Sequence, residues 1–212
     1  MSILKNYNII SNSIKNLSQK TTLIVVTKNQ QLQKIEPLIK ASHLDYGENK
    51  VQEASLKWKE LILNNSNIRL HLIGKLQSNK AKDAFEIFHY IHTLDNDKLA
   101  KIFSQLEVNS QKKIKYFIQV NVGNEPQKNG ISIDQVNPFI KFCINNLKLN
   151  IIGLMCIPPN DNNSNKYFKN LAEIAVANNL NELSMGMSND YEYAINNGST
   201  FVRIGSKIFS DD

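Results

Sequence analysis

Arginine is the scarce cation of this sequence. Lys and Arg together number 25, yet only Arg69 and Arg203 are arginines. Arginine is the side chain of choice for bidentate contacts to bases and phosphates. The net charge of +6 therefore does not mark a nucleic-acid binder, and no nucleic-acid partner is expected. The lysines are scattered, and only Lys112, Lys113 and Lys115 cluster. Cysteine is equally sparse. Cys143 and Cys156 have no neighbouring Cys or His set, which excludes a disulfide framework and a zinc site. Both are read as reduced core thiols of a cytoplasmic protein. No run reaches the roughly 18 apolar residues of a membrane span. Residues 1–20 lack the apolar stretch of a secretory signal and contain no arginine, so neither export nor an organellar presequence is expected.

What is present reads as a globular chain. With 212 residues, 42% of them hydrophobic, one domain over residues 1–212 is expected. No linker divides it, and Pro158–Asn165 (PPNDNNSN) reads as a surface loop. Eight short apolar runs recur: Leu23–Thr27, Leu44–Gly47, Leu70–Gly74, Ile91–Asp95, Tyr116–Val122, Ile151–Ile157, Leu183–Met187 and Phe201–Gly205. Each has strand length and turn-forming neighbours. Helical stripes at steps of three and four lie between them. One is Ile133, Val136, Ile140, Cys143 and Leu147; another is Ala54, Trp58 and Leu61. Ala81, Ala84, Phe85 and Phe88, then Leu99, Ile102, Phe103 and Leu106, then Phe168, Leu171 and Ala175 form three more. An additional N-terminal helix buries Ile3, Ile10, Ile14 and Leu17. Alternating strands and helices predict an α/β fold with a parallel sheet closed as a (β/α)8 TIM barrel. An open doubly wound sheet is the alternative, weakened because no G-x-G-x-x-G follows the first strand.

In such a barrel the functional face is the carboxyl end of the strands. Lys28 follows the first strand (Ile24-Val25-Val26-Thr27). A lysine partly desolvated there has a lowered pKa, and its neutral amine attacks aldehydes. The plainer reading is a strand-capping lysine whose ammonium reaches water. Ser188 lies beside a helix start, and Asn189 with Glu192 has capping-box spacing. Gly205 and Ser206 follow the eighth strand, and loops seven and eight are frequent phosphate sites in barrels. Arg203 sits between apolar neighbours, so its guanidinium needs either a carboxylate or a bound group that accepts its hydrogen bonds. Asn49 and Gln77-Ser78-Asn79 read as hydrogen-bond donors or loop caps. His43, His71, His89 and His92 lack metal spacing and read as structural, and no metal site is expected.

VVTK (Val25–Lys28), YGENKVQE (Tyr46–Glu53), HLIGKLQSNKAK (His71–Lys82), QVNVGNEPQKNGI (Gln119–Ile131), GLMCIPP (Gly153–Pro159) and LSMGMSNDYEYAINNGSTFVRIGSKIF (Leu183–Phe209) together resemble the pyridoxal phosphate homeostasis protein family. The motifs span nearly the whole chain in order. The resemblance implies the barrel of the alanine racemase N-terminal domain, with pyridoxal 5'-phosphate held as a Schiff base on Lys28. It implies a contact near the cofactor's O3′ from Asn49, phosphate contacts from Ser188, Gly205 and Ser206, and Arg203 at the pyridine nitrogen. It places Lys128 near the site mouth without assigning a role. It further implies a monomer without an established catalytic activity, acting in vitamin B6 and amino-acid balance, with PLP-dependent apoenzymes as recipients. Alanine racemases use a second base, a tyrosine from a separate β-domain of the partner subunit. No residues for such a domain are expected after the eighth strand, and a weak racemase is the alternative activity. Two departures stand out. Asn29-Gln30-Gln31 replaces the family's usual second lysine, and Lys75 stands where Pro or His is frequent.

Overall fold

The computed structural model describes residues 2–110 and 112–210. Its sheet is a closed barrel of eight parallel strands in sequential order. They are β1 (Thr22–Val26), β2 (Asp45–Glu48), β3 (Arg69–Leu72), β4 (Tyr90–Leu94), β5 (Lys115–Gln119), β6 (Ile151–Met155), β7 (Glu182–Ser184) and β8 (Phe201–Ile204). Helices alternate with them: α1 (Ile3–Leu17), α2 (Leu32–Lys40), α3 (Val51–Asn64), α4 (Ala81–Ile87), α5 (Asp97–Ser110), α6 (Val136–Lys141), α7 (Ser164–Ala177), α8 (Tyr191–Asn196) and α9 (Ser206–Phe209). This is the expected (β/α)8 architecture with its N-terminal helix. Among the described residues, no helix is long and apolar enough to cross a membrane.

The strands bury both faces, as parallel barrel strands must. Outward-facing residues meet the helices in one large core that includes Tyr46, Trp58, Phe103 and Phe168, all fully buried. A smaller cluster of Ile24, Tyr90, Phe117, Met155 and Phe201 packs apart from it. Between β6 and β7 the backbones approach so closely that a Cβ on Gly153 would lie 2.0 Å from the Glu182 carbonyl oxygen. Closure comes from β1 pairing with β8, Leu23 opposite Val202 and Ile24 opposite Arg203.

Helix α1 packs on α2, α8 and α9. Asn6 donates to the carbonyls of Ile208 and Ser210, and Ser13 bonds the Tyr191 hydroxyl at 3.1 Å. Ile10 and Ile14 are buried as expected, but Leu17 is 43% exposed because α1 ends there and its last turn overhangs. Strand ends differ from the expected ones by up to three residues. The clearest case is β7. Gly186 has φ +92°, which turns the chain out of the sheet before Met187. Helix α2 had no recognised stripe; it is short, carries Pro37 and buries only Ile35 and Leu38. The Ile133–Leu147 stripe is one helical rod that passes from a 3-10 turn through α6 into a π-turn over Phe142–Asn146.

Truncating Phe168 to Ala should destabilise the fold by about 3–5 kcal/mol, read from urea unfolding, because α7 then faces the sheet across a cavity. A loss below about 1 kcal/mol would mean that this layer is not packed as described.

Candidate functional site at the carboxyl rim

Lys28 follows β1 on a backbone held from both sides. Thr27 Oγ1 donates to Glu48 Oε1 at 2.7 Å, and Lys57 Nζ donates to the Thr27 carbonyl at 2.7 Å. The Asn29 amide donates to Glu53 Oε1 at 2.6 Å. Glu48 is fully buried and also accepts from Lys57 Nζ and from Trp58 Nε1, each at 2.9 Å. A buried carboxylate needs such partners. The clamp fixes the backbone, and Lys28 itself is exposed at the rim rather than partly enclosed as expected. Neither Glu53 nor Lys57 stands out in the sequence, since a helix-borne Glu and Lys four apart reads as an ordinary surface pair.

A cavity of about 890 Å³ opens at this rim, and Lys28, Asn49, Ser188, Arg203, Gly205 and Ser206 all line it. Lys128 and Tyr193 line it too, as does the loop of Pro158 to Asn160. Gln77, Ser78 and Asn79 do not; they enter a 3-10 turn leading into α4. Asn49 is half-buried and locked by its neighbour: a Cβ on Gly74 would fall 2.2 Å from the Asn49 carbonyl oxygen. Ser188 and Ser206 hydroxyls meet at 2.8 Å, joining the loops after β7 and β8. Gly205 is similarly pressed on β1, with the Val26 carbonyl 2.8 Å from where its Cβ would lie.

The expected capping box of Asn189 and Glu192 is not formed. Helix α8 begins at Tyr191, Asp190 stands at its cap, and Asp190 Oδ1 accepts from the Met187 amide at 2.7 Å. That carboxylate ties down the turn carrying Ser188. Arg203 has no carboxylate among its hydrogen-bond partners in the described residues. Its Nη1 donates to Ser184 Oγ at 2.7 Å and its Nη2 to the Cys156 carbonyl at 2.8 Å. It is 4% exposed, and burial pushes its guanidinium below its ordinary pKa.

Two of the four histidines read as structural, His71 and His92, form part of a polar column. His92 Nδ1 meets Ser184 Oγ at 2.8 Å, His92 Nε2 meets His71 Nδ1 at 2.9 Å, and His71 Nε2 meets Asp45 Oδ1 at 3.0 Å. Arg69 closes the column by donating to both oxygens of Asp45. His71 stacks on Tyr90 and His92 on Phe117, with ring centroids 4.2 and 4.3 Å apart. Burial drives all four histidines below their ordinary pKa, His89 to about 4. Burial alone would raise Asp45, but hydrogen bonds from His71 and Arg69 outweigh it and leave the carboxyl at about 2.

The closed parallel barrel with its N-terminal helix has the fold of the alanine racemase N-terminal domain. The family model described as alanine racemase, N-terminal domain, matches residues 2–212. The "Pyridoxal phosphate homeostasis protein" of Haemophilus influenzae is 33% identical over 99% of this chain and 95% of its own length. That of Escherichia coli K12 is 32% identical over 90% of this chain and 86% of its own. The solved structure of PipY from Synechococcus elongatus with PLP bound is 30% identical with a TM-score of 0.87, covering 98% of this chain and all of that one. Alanine racemase from Corynebacterium glutamicum shares the fold at a TM-score of 0.71 and 14% identity. The chain belongs to the pyridoxal phosphate homeostasis protein family.

The neutral histidines set an acid limit on stability. Their folded pKa values lie below the unfolded value of about 6.5, so as pH falls below it the unfolded chain takes up protons that the native state refuses. Each histidine that stays neutral should remove about 1.4 kcal/mol per pH unit. Urea midpoints should fall steadily from about pH 7 to about pH 5; midpoints that stay flat or rise would mean the rings are charged in the native state.

Proposed function

We propose that the protein binds pyridoxal 5'-phosphate as a Schiff base on Lys28 and takes part in intracellular PLP homeostasis and amino-acid balance. The observation that carries this reading is convergence. An accessible lysine amine, a buried guanidinium and a paired set of hydroxyls line one cavity, and the sheet closure draws them from neighbouring strands.

The residues fit the group. The Lys28 amine can condense with an aldehyde, releasing water, and its clamped backbone aims it into the cavity mouth. The Ser188 and Ser206 hydroxyls, with the Gly205 backbone, are donors suited to a phosphate. Asn49 is held where its amide can donate to the ring hydroxyl oxygen. Arg203 can donate to a pyridine nitrogen and keep that nitrogen unprotonated. Bound cofactor supplies an electron sink for amino-acid carbanions, and a donor that withholds the ring proton weakens that sink. This favours a holding role over a catalytic one. Recipients of the cofactor on this reading are PLP-dependent apoenzymes, and the setting is the cytoplasm, with both thiols buried and free. The protein acts as a monomer.

Slow amino-acid racemisation is the second reading, favoured by one observation: Tyr193 and Lys128 line the same cavity as Lys28. A proton shuttle needs two bases on opposite sides of the reacting carbon.

Incubated with PLP, the protein should turn yellow, and borohydride followed by peptide mapping should place the label on Lys28. Lys28→Ala should stay colourless and fold normally; a variant that still carries the label would remove Lys28 from the site. With L- or D-alanine in deuterated water, α-proton exchange should be slow. Rapid exchange abolished by Tyr193→Phe would establish the racemase reading instead.

A further inference from the structure

We infer that the buried chain Asp45–His71–His92–Ser184–Arg203 is a one-directional positioning network that fixes the Arg203 guanidinium against the cavity. The network itself stands on geometry alone; its effect on a pyridine nitrogen rests on the reading proposed above.

Chemistry at the two ends fixes every link between them. Arg203 has five N–H groups and can only donate, whereas ionised Asp45 can only accept. Ser184, His92 and His71, which join them, can each do either. One arrangement satisfies all five. Arg203 Nη1 donates to Ser184 Oγ, and the Ser184 hydroxyl donates to His92 Nδ1. His92 Nε2–H then donates to His71 Nδ1, and His71 Nε2–H donates to Asp45. Both rings are therefore neutral Nε2–H tautomers. A second proton on His71 would either set two N–H groups against each other across 2.9 Å or turn His92 to its Nδ1–H tautomer, which leaves the Ser184 hydroxyl without an acceptor among the described residues.

Burial makes the direction binding. His71, His92 and Ser184 are fully buried, and Asp45 and Arg203 are 5% and 4% exposed. Water does not replace a lost partner there, and an orphaned buried group is expensive. Tyr90 and Phe117 stack on the two rings, with Phe201 against both, so the imidazoles have little freedom to turn. The charged groups that reach the rings are Asp45, Arg69 and Lys115 at His71, and Arg203 at His92. The column begins at Asp45 and Arg69, the first residues of β2 and β3, and ends at the cavity beyond β8. Arg203 is thus held by neutral acceptors, Ser184 and the Cys156 carbonyl, and no carboxylate bonds it directly. Its charge stays available to whatever fills the cavity.

The first arm of the test uses protein without cofactor. Long-range proton–nitrogen NMR should report His71 and His92 as neutral Nε2–H tautomers from about pH 8 down to about pH 5.5. The Arg203 Nη signals should be resolved, because the guanidinium does not rotate. His92→Leu breaks the chain and should average those signals. His92→Gln, whose amide can accept from Ser184 and donate to His71, should keep them resolved. A tautomer of the opposite kind, or Arg203 signals unmoved by His92→Leu, overturns the proposal. The second arm titrates the same proteins with PLP. His92→Leu should bind about tenfold more weakly and shift the pH profile of the bound chromophore, while His92→Gln restores both. Equal affinity and equal profiles in all three would also overturn it. If His92→Leu fails to fold, Ser184→Ala replaces it, with the same expected losses. A parent protein that takes up no PLP would sink the functional reading and leave the NMR outcomes to judge the network.

Discussion

The hydrogen bonds between β1 and β8 are the constraint on which the site depends. Their register sets Ile24 beside Arg203. Lys28 then leaves the sheet from the same edge as Gly205 and Ser206, which follow Arg203 in the chain. Were the same eight strands laid out flat in sequential order, β1 and β8 would be the two outer strands. At a strand spacing near 4.8 Å they would stand roughly 34 Å apart. Closing the sheet therefore assembles the amine, the hydroxyl pair and the guanidinium. The closely approached glycines serve the same end. Gly205 lets β8 press on the end of β1, and Gly74 lets the turn after β3 press on Asn49.

Two polar systems of different kinds then support the rim. Outside the barrel, between strand and helix, Glu48 draws Thr27, Lys57 and Trp58 onto one oxygen and so fixes the chain on the amino side of Lys28. Inside, the column from Asp45 to Ser184 occupies space that apolar side chains fill in most barrels of this kind. Exchanging apolar packing for such a column makes sense only if something at its end must be held in one orientation. The residue at that end is Arg203. Both systems place acidic groups where burial is unfavourable and bring several donors to them, although Glu48 Oε2 has no hydrogen-bond partner among the described residues.

The fold was legible because period and punctuation agree along most of the chain. Runs such as Leu23–Thr27 and Ile151–Ile157 lie within a residue or two of their strands. The misses have local causes. Helix α2 was invisible because two buried residues and an internal proline make no stripe. The box at Asn189 and Glu192 is not formed because α8 starts one residue late for it, with Asp190 at the cap position and its carboxylate turned back to the Met187 amide. Strand-end position and the family resemblance together indicated six of the residues that line the cavity. The supporting residues escaped because their partners are distant in sequence. Nothing near His92 announces Ser184, and nothing near Thr27 announces Lys57. A signal did exist for the histidines: His71 and His92 each stand inside an apolar strand, where a ring nitrogen must find a partner.

Exposure of Lys28 bears on what kind of PLP protein this barrel makes. Enzymes that use the cofactor gain by excluding water and by protonating the ring to deepen the electron sink. Here the lysine is open to solvent, and the group facing the ring nitrogen on the proposed reading is a guanidinium that cannot give up its proton. Both features work against carbanion chemistry. They do not work against reversible condensation, which needs only an amine, an aldehyde and access for water or a competing amine. The tight parts of the site are those that would grip the phosphate and ring, and they sit on clamped turns and a buried column. Lys28 and Ser206 are the exposed members of the set, and on the proposed reading Lys28 carries the bond that is made and broken. On the proposed reading, a phosphate and ring held by fixed turns beside an amine open to solvent suit storage and hand-over of the cofactor.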